Sequence, residues 1–275
     1  MMRARKRFGA IGVNILAWVI SIVLITPLLL ILFNSLKTGA ESAYMSLSLP
    51  TSPQWGNFLV VIQKGKLAIT FLNSALYSGF SVLLTTMLAS MTAYVLSRNR
   101  RKLHNFIYFF IVLGITMPIN FVTLMRVMQI LHLLNNRLGV VLLYAAIQMP
   151  FNVFLIYSFV GRIPRDIDEA GIIDGCSPMR LYTAVILPLL TPVLVTVMVL
   201  TFLNTWNEFV LPLYILGNSG KWPMTLAVYN FFGMYFRDWN LVCADIVLTS
   251  LPVVLVYLAG QKYIVSGMTA GAVKG

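Results

Sequence analysis

The acidic residues are few and unevenly spread. The chain has eight, and Asp166, Asp168, Glu169 and Asp174 fall in one short stretch. That stretch runs from Gly161 to Pro192 and reads GRIPRDIDEAGIIDGCSPMRLYTAVILPLLTP. Ala170 and Gly171 sit beside the acids, so negative charge is combined with small side chains. Charge attracts a basic partner, and small residues let another backbone or a bulky side chain come close. The segment is either a docking element or a solvated amphipathic connection, and its residue types leave both readings open. Catalysis has less to work with. Glu208 and Asp245 stand alone in sequence, and His104 and His132 have no ligand-like neighbours, so no metal site is expected. A membrane-embedded enzyme would need a cluster of His, Asp or Glu, or a Ser/Lys-type nucleophile pair, and neither is visible. No GxxxxGK[ST] phosphate loop occurs, so any ATP used is expected to be bound by another chain.

The local grammar around the acids predicts the element that carries them. Pro164 precedes a short helix whose first turn holds Asp166, Asp168 and Glu169, favourable near the positive end of a helix dipole. Gly175 stands where a left-handed stop belongs. Ser177-Pro178 reads as an N-cap followed by proline at the first helical position. A second helix then leads into Ile186-Leu187-Pro188. The expected shape is helix, glycine turn, helix.

Composition says what this element hangs from. The chain has 275 residues, 59% of them hydrophobic and only 10% charged, against about 25% charged in soluble domains. A soluble enzyme, a disordered chain and a disulfide scaffold are excluded on that ground. Six apolar stretches are long enough to cross a membrane. They run from about Ile11 to Leu32, Leu72 to Leu96, Phe106 to Met125, Leu138 to Val160, Leu189 to Leu213 and Ala244 to Tyr263. The first is too long, and too well followed by others, for a cleaved signal peptide. The fold class expected is an all-α polytopic membrane protein with six transmembrane helices. The expected division is an amino tail over 1–10, a six-span transmembrane body over 11–263 and a carboxyl tail over 264–275.

The net charge of +12 reports sidedness. Thirteen of the twenty cations lie in the amino tail, in the loops near 96–106 and 160–189 and at the carboxyl end from Lys262, with tight clusters at 3–7 and 98–102. The positive-inside bias therefore puts both termini and the acidic loop in the cytoplasm. A nucleic-acid face would need the cations on one folded surface, so no nucleic-acid partner is expected. Prolines at 27, 118, 150, 192, 212 and 252 lie within or at the ends of the spans, which membrane helices tolerate. Cys176 and Cys243 are expected on opposite sides, which argues against a disulfide between them.

The acidic segment resembles the EAA loop of permease subunits of ABC importers. The matching residues are Glu169, Ala170, Gly171, Asp174, Gly175, Ile186, Leu187 and Pro188. Gly171 stands where the family has alanine, which keeps a small side chain but weakens the helix by up to about 1 kcal/mol. Trp206-Asn207-Glu208-Phe209 is similar to the Trp-Asn-Glu/Asp stretch of carbohydrate-uptake permeases. The tail from Gly267 to Gly275 is similar to their Gly-x-Thr-x-Gly-Ala-Val-Lys-Gly ending. Asn73-Ser74 and Trp55-Gly56-Asn57-Phe58 fit as well. The likeness is to the smaller, six-span permease of maltose-type importers and extends from the first span to the last residue.

The resemblance implies a transport subunit that is not itself an enzyme, in a bacterial or archaeal cytoplasmic membrane. It implies a second permease, two ATP-binding subunits and an extracellular solute-binding protein as partners, with a carbohydrate as solute. No cofactor is expected in this chain, since ATP and Mg would be bound by the partner ATPase. The loop over 161–188 would couple to that ATPase through Arg165, Asp168, Glu169, Ala170, Gly171, Asp174 and Gly175. Asn204, Trp206, Asn207 and Glu208 would border the solute path, with amide or carboxylate for hydroxyls and an aromatic face for C–H surfaces. The alternative for these four is an interfacial tryptophan and polar groups that bond between helices. An outer loop near 218–239 carries Trp222, Phe231 and Phe232, an aromatic density suited to contact with the binding protein. Alternatives of function are an importer of another polar solute, such as a glycerol phosphoester, and a membrane channel or enzyme.

Overall fold

The computed structural model describes residues 2–99, 101–231 and 238–272, with side chains over 12–99, 101–231 and 238–263. The described chain is helical, with no strand among the described residues. In chain order the helices are α1 (Met2–Ser35), α2 (Gly39–Ser42), α3 (Gly56–Lys64), α4 (Leu67–Arg98), α5 (Lys102–Leu113), α6 (Phe121–Ile130), α7 (Arg137–Val160) and α8 (Asp166–Ile173). They continue as α9 (Pro178–Arg180), a π-helical segment over Leu181–Ile186, α10 (Leu187–Leu189), α11 (Thr191–Trp206), α12 (Val210–Ile215), α13 (Met224–Ala227) and α14 (Trp239–Ala272).

Among the described residues, four helical stretches are long and apolar enough to cross a membrane: Gly12–Ser35, Leu67–Arg98, Arg137–Val160 and Trp239–Tyr263. A fifth is possible if the pair Pro178–Leu189 and Thr191–Trp206 counts as one span, although the two halves meet at 78°. The expected third span is instead two shorter apolar helices, α5 and α6. The cause is local. Pro118 supplies no N–H donor and pushes Met117 out of the helical region, and Asn120 caps α6 by accepting the Thr123 N–H at 3.0 Å. The bend ahead of α11 has a related cause. Pro188 and Pro192 each remove a backbone donor; the chain ahead of Pro188 relaxes through the π-helical segment Leu181–Ile186, and the helix breaks at Leu190 between the two prolines.

The chain forms two compact units. One comprises Met1–Ala68 with Ala227–Leu251, the other Ile69–Leu226 with Pro252–Gly275. In the first, Val61, Phe231, Leu241, Val242 and Ala244 form the core. Asn57 ties this unit's backbone together, donating to the carbonyls of Ser35 at 2.8 Å and Lys37 at 2.9 Å. It also accepts from Asn240 at 3.1 Å. The apolar residues of α1 from Val13 to Leu32 are largely exposed, and only a bilayer or another apolar surface can cover so large a patch.

The second unit has two cores. One joins Ala89 and Ala93 of α4, Val153, Ile156 and Val160 of α7, and Leu181, Ile186, Leu190 and Val193. The other joins Tyr77, Val140, Tyr144, Leu211 and Ile215. Between them α4 turns a polar stripe inward. Ser81 donates to the Val141 carbonyl at 3.2 Å, and Ser90 pairs with the Tyr182 hydroxyl at 2.7 Å. Such hydrogen bonds between helices stand in for the hydrophobic drive that lipid removes.

Candidate functional site

The acidic residues become a helix with two different faces. Asp166, Asp168 and Glu169 occupy the first turn of α8, where carboxylates meet the unsatisfied N–H groups and the positive end of the dipole. The helix ends in a Schellman turn. The Cys176 N–H bonds back to the Gly171 carbonyl at 2.9 Å, and the Gly175 N–H to that of Ile172 at 3.0 Å. This closure needs a left-handed residue, and Gly175 has φ +76°. Ser177 then caps the next helix, accepting the Arg180 N–H, with Pro178 in its first turn. The helix, glycine turn and second helix read from the sequence are all present.

The inward face of α8 is anchored. Asp168 lies 2.7 Å from the Arg98 guanidinium and accepts the Tyr94 hydroxyl at 2.6 Å. Arg98 also donates to the carbonyls of Ile163 at 3.1 Å and Val160 at 3.4 Å. Arg165 reaches back to the Arg98 carbonyl at 3.3 Å. One guanidinium at the end of α4 thus gathers the end of α7, the connecting turn and α8. Gly171 is buried against the π-helical segment, and a Cβ there would lie 2.5 Å from Leu181 Cδ1. Its small size therefore serves a contact within the chain.

The outward face is different. Glu169, Ala170, Asp174 and Gly175 are exposed. Ile172 and Ile173 are exposed by 63% and 84%, an unusual position for β-branched apolar side chains beside a carboxylate. Of the expected coupling residues, Glu169, Ala170, Asp174 and Gly175 share this exposed surface, whereas Asp168 and Gly171 turn inward. Tyr94, Arg98, Leu181 and the two isoleucines escaped the sequence reading. Arg98 had been counted only as a cation of a charge cluster, and its partner lies 70 positions away.

The residues expected along a solute path do not share one face. Trp206 is 2% exposed and packs on Phe202 and the edge of Phe71, with ring centroids 5.2 and 5.8 Å away. Glu208 turns its carboxylate onto the start of α12, accepting the N–H groups of Val210 at 2.8 Å and Leu211 at 3.0 Å. Asn204 and Asn207 are exposed, and Asn204 donates to Gln148 at 3.4 Å. An apolar cavity of about 630 Å³ bounded by Phe80, Leu83, Met87, Met179 and Met198 includes none of the four.

The outer aromatics are also less exposed than their types suggested. Trp222 is half-buried and donates its indole N–H to the Leu216 carbonyl at 3.2 Å. Phe231 is 4% exposed and lies against Gly65. Phe232 lies outside the described residues, as do Val273 to Gly275 of the tail. Asn73 and Ser74 hold the segment before α13. Asn73 donates to the carbonyls of Gly220 and Trp222 at 3.1 and 3.0 Å, and Ser74 accepts the Met224 N–H at 2.8 Å.

This geometry has known relatives. The family model for the binding-protein-dependent transport system inner membrane component matches residues 85–270. The "probable starch degradation products transport system permease protein" of Thermoanaerobacterium thermosulfurigenes is 36% identical, over 93% of this chain and 94% of that one. The diacetylchitobiose uptake system permease of Streptomyces coelicolor is 34% identical, over 97% and 89%. Among solved structures, a chain of a bacterial ABC transporter involved in the import of the acidic polysaccharide alginate matches with a TM-score of 0.83. It covers 94% of this chain and 97% of that one at 22% identity, a likeness of fold. With its apolar helices and its match over most of its length, the chain belongs to the multi-pass inner-membrane components of binding-protein-dependent transport systems, the permeases of ABC importers.

Proposed function

We propose that this chain is one of two non-identical permeases of an importer for a sugar or oligosaccharide, and that α8 is the element through which it feels ATP hydrolysis. The observation that carries the second statement is the two-faced α8. One face is locked into the chain by Asp168, Arg98 and Tyr94, and the other offers Glu169, Ala170, Ile172, Ile173 and Asp174 to the outside. A helix that must transmit force needs both a grip and a free face. Closure of a pair of ATP-binding subunits would displace α8. The Arg98 anchor would pass that displacement to α4, and the Gly171–Leu181 contact would pass it to the π-helical segment ahead of α11. The permease pair would thereby turn between inward-open and outward-open states. In this reading α5 with α6 makes the third of six crossings and the bent pair around Leu190 makes the fifth. ATP and Mg would be bound by the partner subunits.

The carbohydrate assignment rests on the relatives' stated solutes. The multiple sugar-binding permease of Streptococcus mutans (30% identical over 99% of this chain) and the melibiose/raffinose/stachyose permease of Bacillus subtilis (29% over 100%) widen the range. Of the four residues expected along the solute path, Asn204 and Asn207 are the exposed ones, and their amides suit hydroxyls.

Replacement of Gly175 by valine tests the coupling. The substitution strains the turn by at least about 1 kcal/mol. The purified complex is expected to lose bound ATPase and binding-protein-dependent uptake together. Unchanged co-purification and unchanged uptake would remove α8 from the coupling role. Uptake of labelled maltooligosaccharide, melibiose and glycerol phosphate by reconstituted vesicles tests the solute class. Transport of the phosphoester alone would overturn the carbohydrate assignment.

A further inference from the structure

Beside the Arg98 anchor, α4 and α7 end around a polar cavity of about 350 Å³, bounded by Ser97, Arg98, Tyr157, Gly161, Arg162 and Arg165. Its charge is unbalanced. The one nearby carboxylate in an ion pair, Asp168, is spent on Arg98, and no other ion pair forms among the described residues. Arg162 and Arg165 add positive charge without a carboxylate ion-pair partner among the described residues, and Arg101 and Lys102 stand at the start of α5, three and four residues after Arg98 ends α4. Guanidinium groups grouped in this way suit a phosphate, which they bind through planar, paired N–H donors.

An apolar surface begins at the same place. Helix α5 buries none of its side chains, and Leu103, Phe106, Phe109, Phe110 and Leu113 are exposed. It packs on α7 through Tyr108, whose ring stacks on Tyr157 at 3.9 Å, and Tyr157 lines the cavity. Cationic cavity and bare apolar helix are therefore continuous, at the end of two membrane-length helices where the cation distribution locates the cytoplasmic surface. A soluble anion would use only the cavity, whereas an amphiphile with a phosphate head would use both.

We propose that this cavity binds the phosphate of an anionic phospholipid whose acyl chains lie along α5. The lipid would neutralise Arg162 and Arg165 next to the Arg98–Asp168 pair, and so sit against the anchor of α8. A cation near the membrane surface changes anionic-lipid affinity by about five-fold.

The test uses the detergent-purified complex with all its subunits, given phosphatidylglycerol and phosphatidylcholine in equal amounts and read by native mass spectrometry. Phosphatidylglycerol is expected to be retained in preference. The preference should fall about five-fold in Arg162→Ala, and Arg162→Lys should retain most of it. Arg126→Ala, a cation of α6 outside the cavity, should leave it intact. Arg162 is exposed, so its replacement leaves the packing alone. Equal retention of the two lipids would overturn the proposal, as would a preference that survives Arg162→Ala. Equal loss in Arg162→Ala and Arg126→Ala would reduce the effect to diffuse attraction and overturn the site. Displacement of phosphatidylglycerol by inorganic phosphate would assign the cavity to a soluble anion and overturn the lipid.

Discussion

The stretch from 161 to 190 and the stretch from 204 to 224 both carry family-like residues, and they use them differently. In the first, the marked residues divide between an inward set that grips the chain, Asp168 and Gly171, and an exposed outward set, Glu169, Ala170 and Asp174 with Ile172 and Ile173. In the second, Asn204 and Asn207 are exposed, while the other marked side chains are occupied by their own chain. Trp206 is packed between rings, Glu208 caps a helix, Asn73 and Ser74 hold the backbone of 220–224, and the Trp222 indole satisfies a carbonyl. The difference follows from surroundings. Where water is scarce, each broken helix end and irregular turn leaves N–H and C=O groups that must find partners, and nearby polar side chains are recruited for that. Where water reaches the chain it satisfies the backbone, so side chains are free to face outward.

The largest effects should come from the inward set of the first stretch. Arg98→Ala leaves the Asp168 carboxylate half-buried, with the Tyr94 hydroxyl as its remaining partner. The expected cost is roughly 2–3 kcal/mol, between an exposed and a fully buried pair. Thermal unfolding of the purified complex should show it, and ATP hydrolysis should continue while uptake falls. Exchanging the partners, Arg98→Asp with Asp168→Arg, should recover part of both losses. Equal melting of Arg98→Ala and wild type would mean that α8 is held some other way.

Gly171 comes next, and it sharpens the comparison because the family prefers alanine there. Helix propensity alone would make Gly171→Ala stabilising by about 1 kcal/mol. The short approach to Leu181 opposes that, and overpacking costs about 1–3 kcal/mol. The single substitution is therefore expected to be neutral or destabilising. Combined with Leu181→Val it should become stabilising, a non-additivity readable from four melting curves. Additive behaviour would show that the contact carries no energy.

In the second stretch, Glu208→Ala should cost about 1 kcal/mol through the lost cap at the start of α12, and Glu208→Gln should recover part of it. The two roles open to Glu208 separate kinetically. A cap lowers stability and leaves the KM for uptake unchanged, whereas a solute contact raises KM in a fully folded complex. A raised KM with an unchanged melting temperature would put the second stretch in the same class as the outward face of the first.

Much of the fold was legible, because apolar length and the grammar of Pro, Gly, Ser and Asp are local properties. The helix from Asp166, the stop at Gly175 and the cap at Ser177 could be read one residue at a time. Two of the expected spans are not single straight helices, because apolar length hides a break at a proline. The stretch 106–125 breaks near Pro118, and the stretch from Leu189 begins in a bend between Pro188 and Pro192. The direction in which each side chain of the site faces was not legible. Asp168 and Glu169 are adjacent carboxylates on the same turn, and only the position of Arg98, fixed by the packing of α4 on α7, decides which is buried. Likewise Gly171 advertises close approach without saying to what, and the answer is Leu181 of the same chain.

The smallest effect on stability belongs to the outward face, and it is the sharpest test of the division. Ile173 is exposed by 84% and the helix around it is held from the other side. Replacement of an exposed residue whose side chain takes no part in a cap, core or network changes stability by no more than about 0.5 kcal/mol, so Ile173→Ser should melt with the wild type. If the free face exists to meet an ATP-binding subunit, the same substitution removes an apolar anchor worth about 1–2 kcal/mol at that contact. Retention of the ATPase through purification, and uptake per ATP hydrolysed, should fall by roughly ten-fold while the permease itself is unchanged. A loss of melting temperature without a loss of coupling would assign Ile173 to the chain's own packing. The contrast between a gripping face and a free face would then be wrong at its most exposed residue.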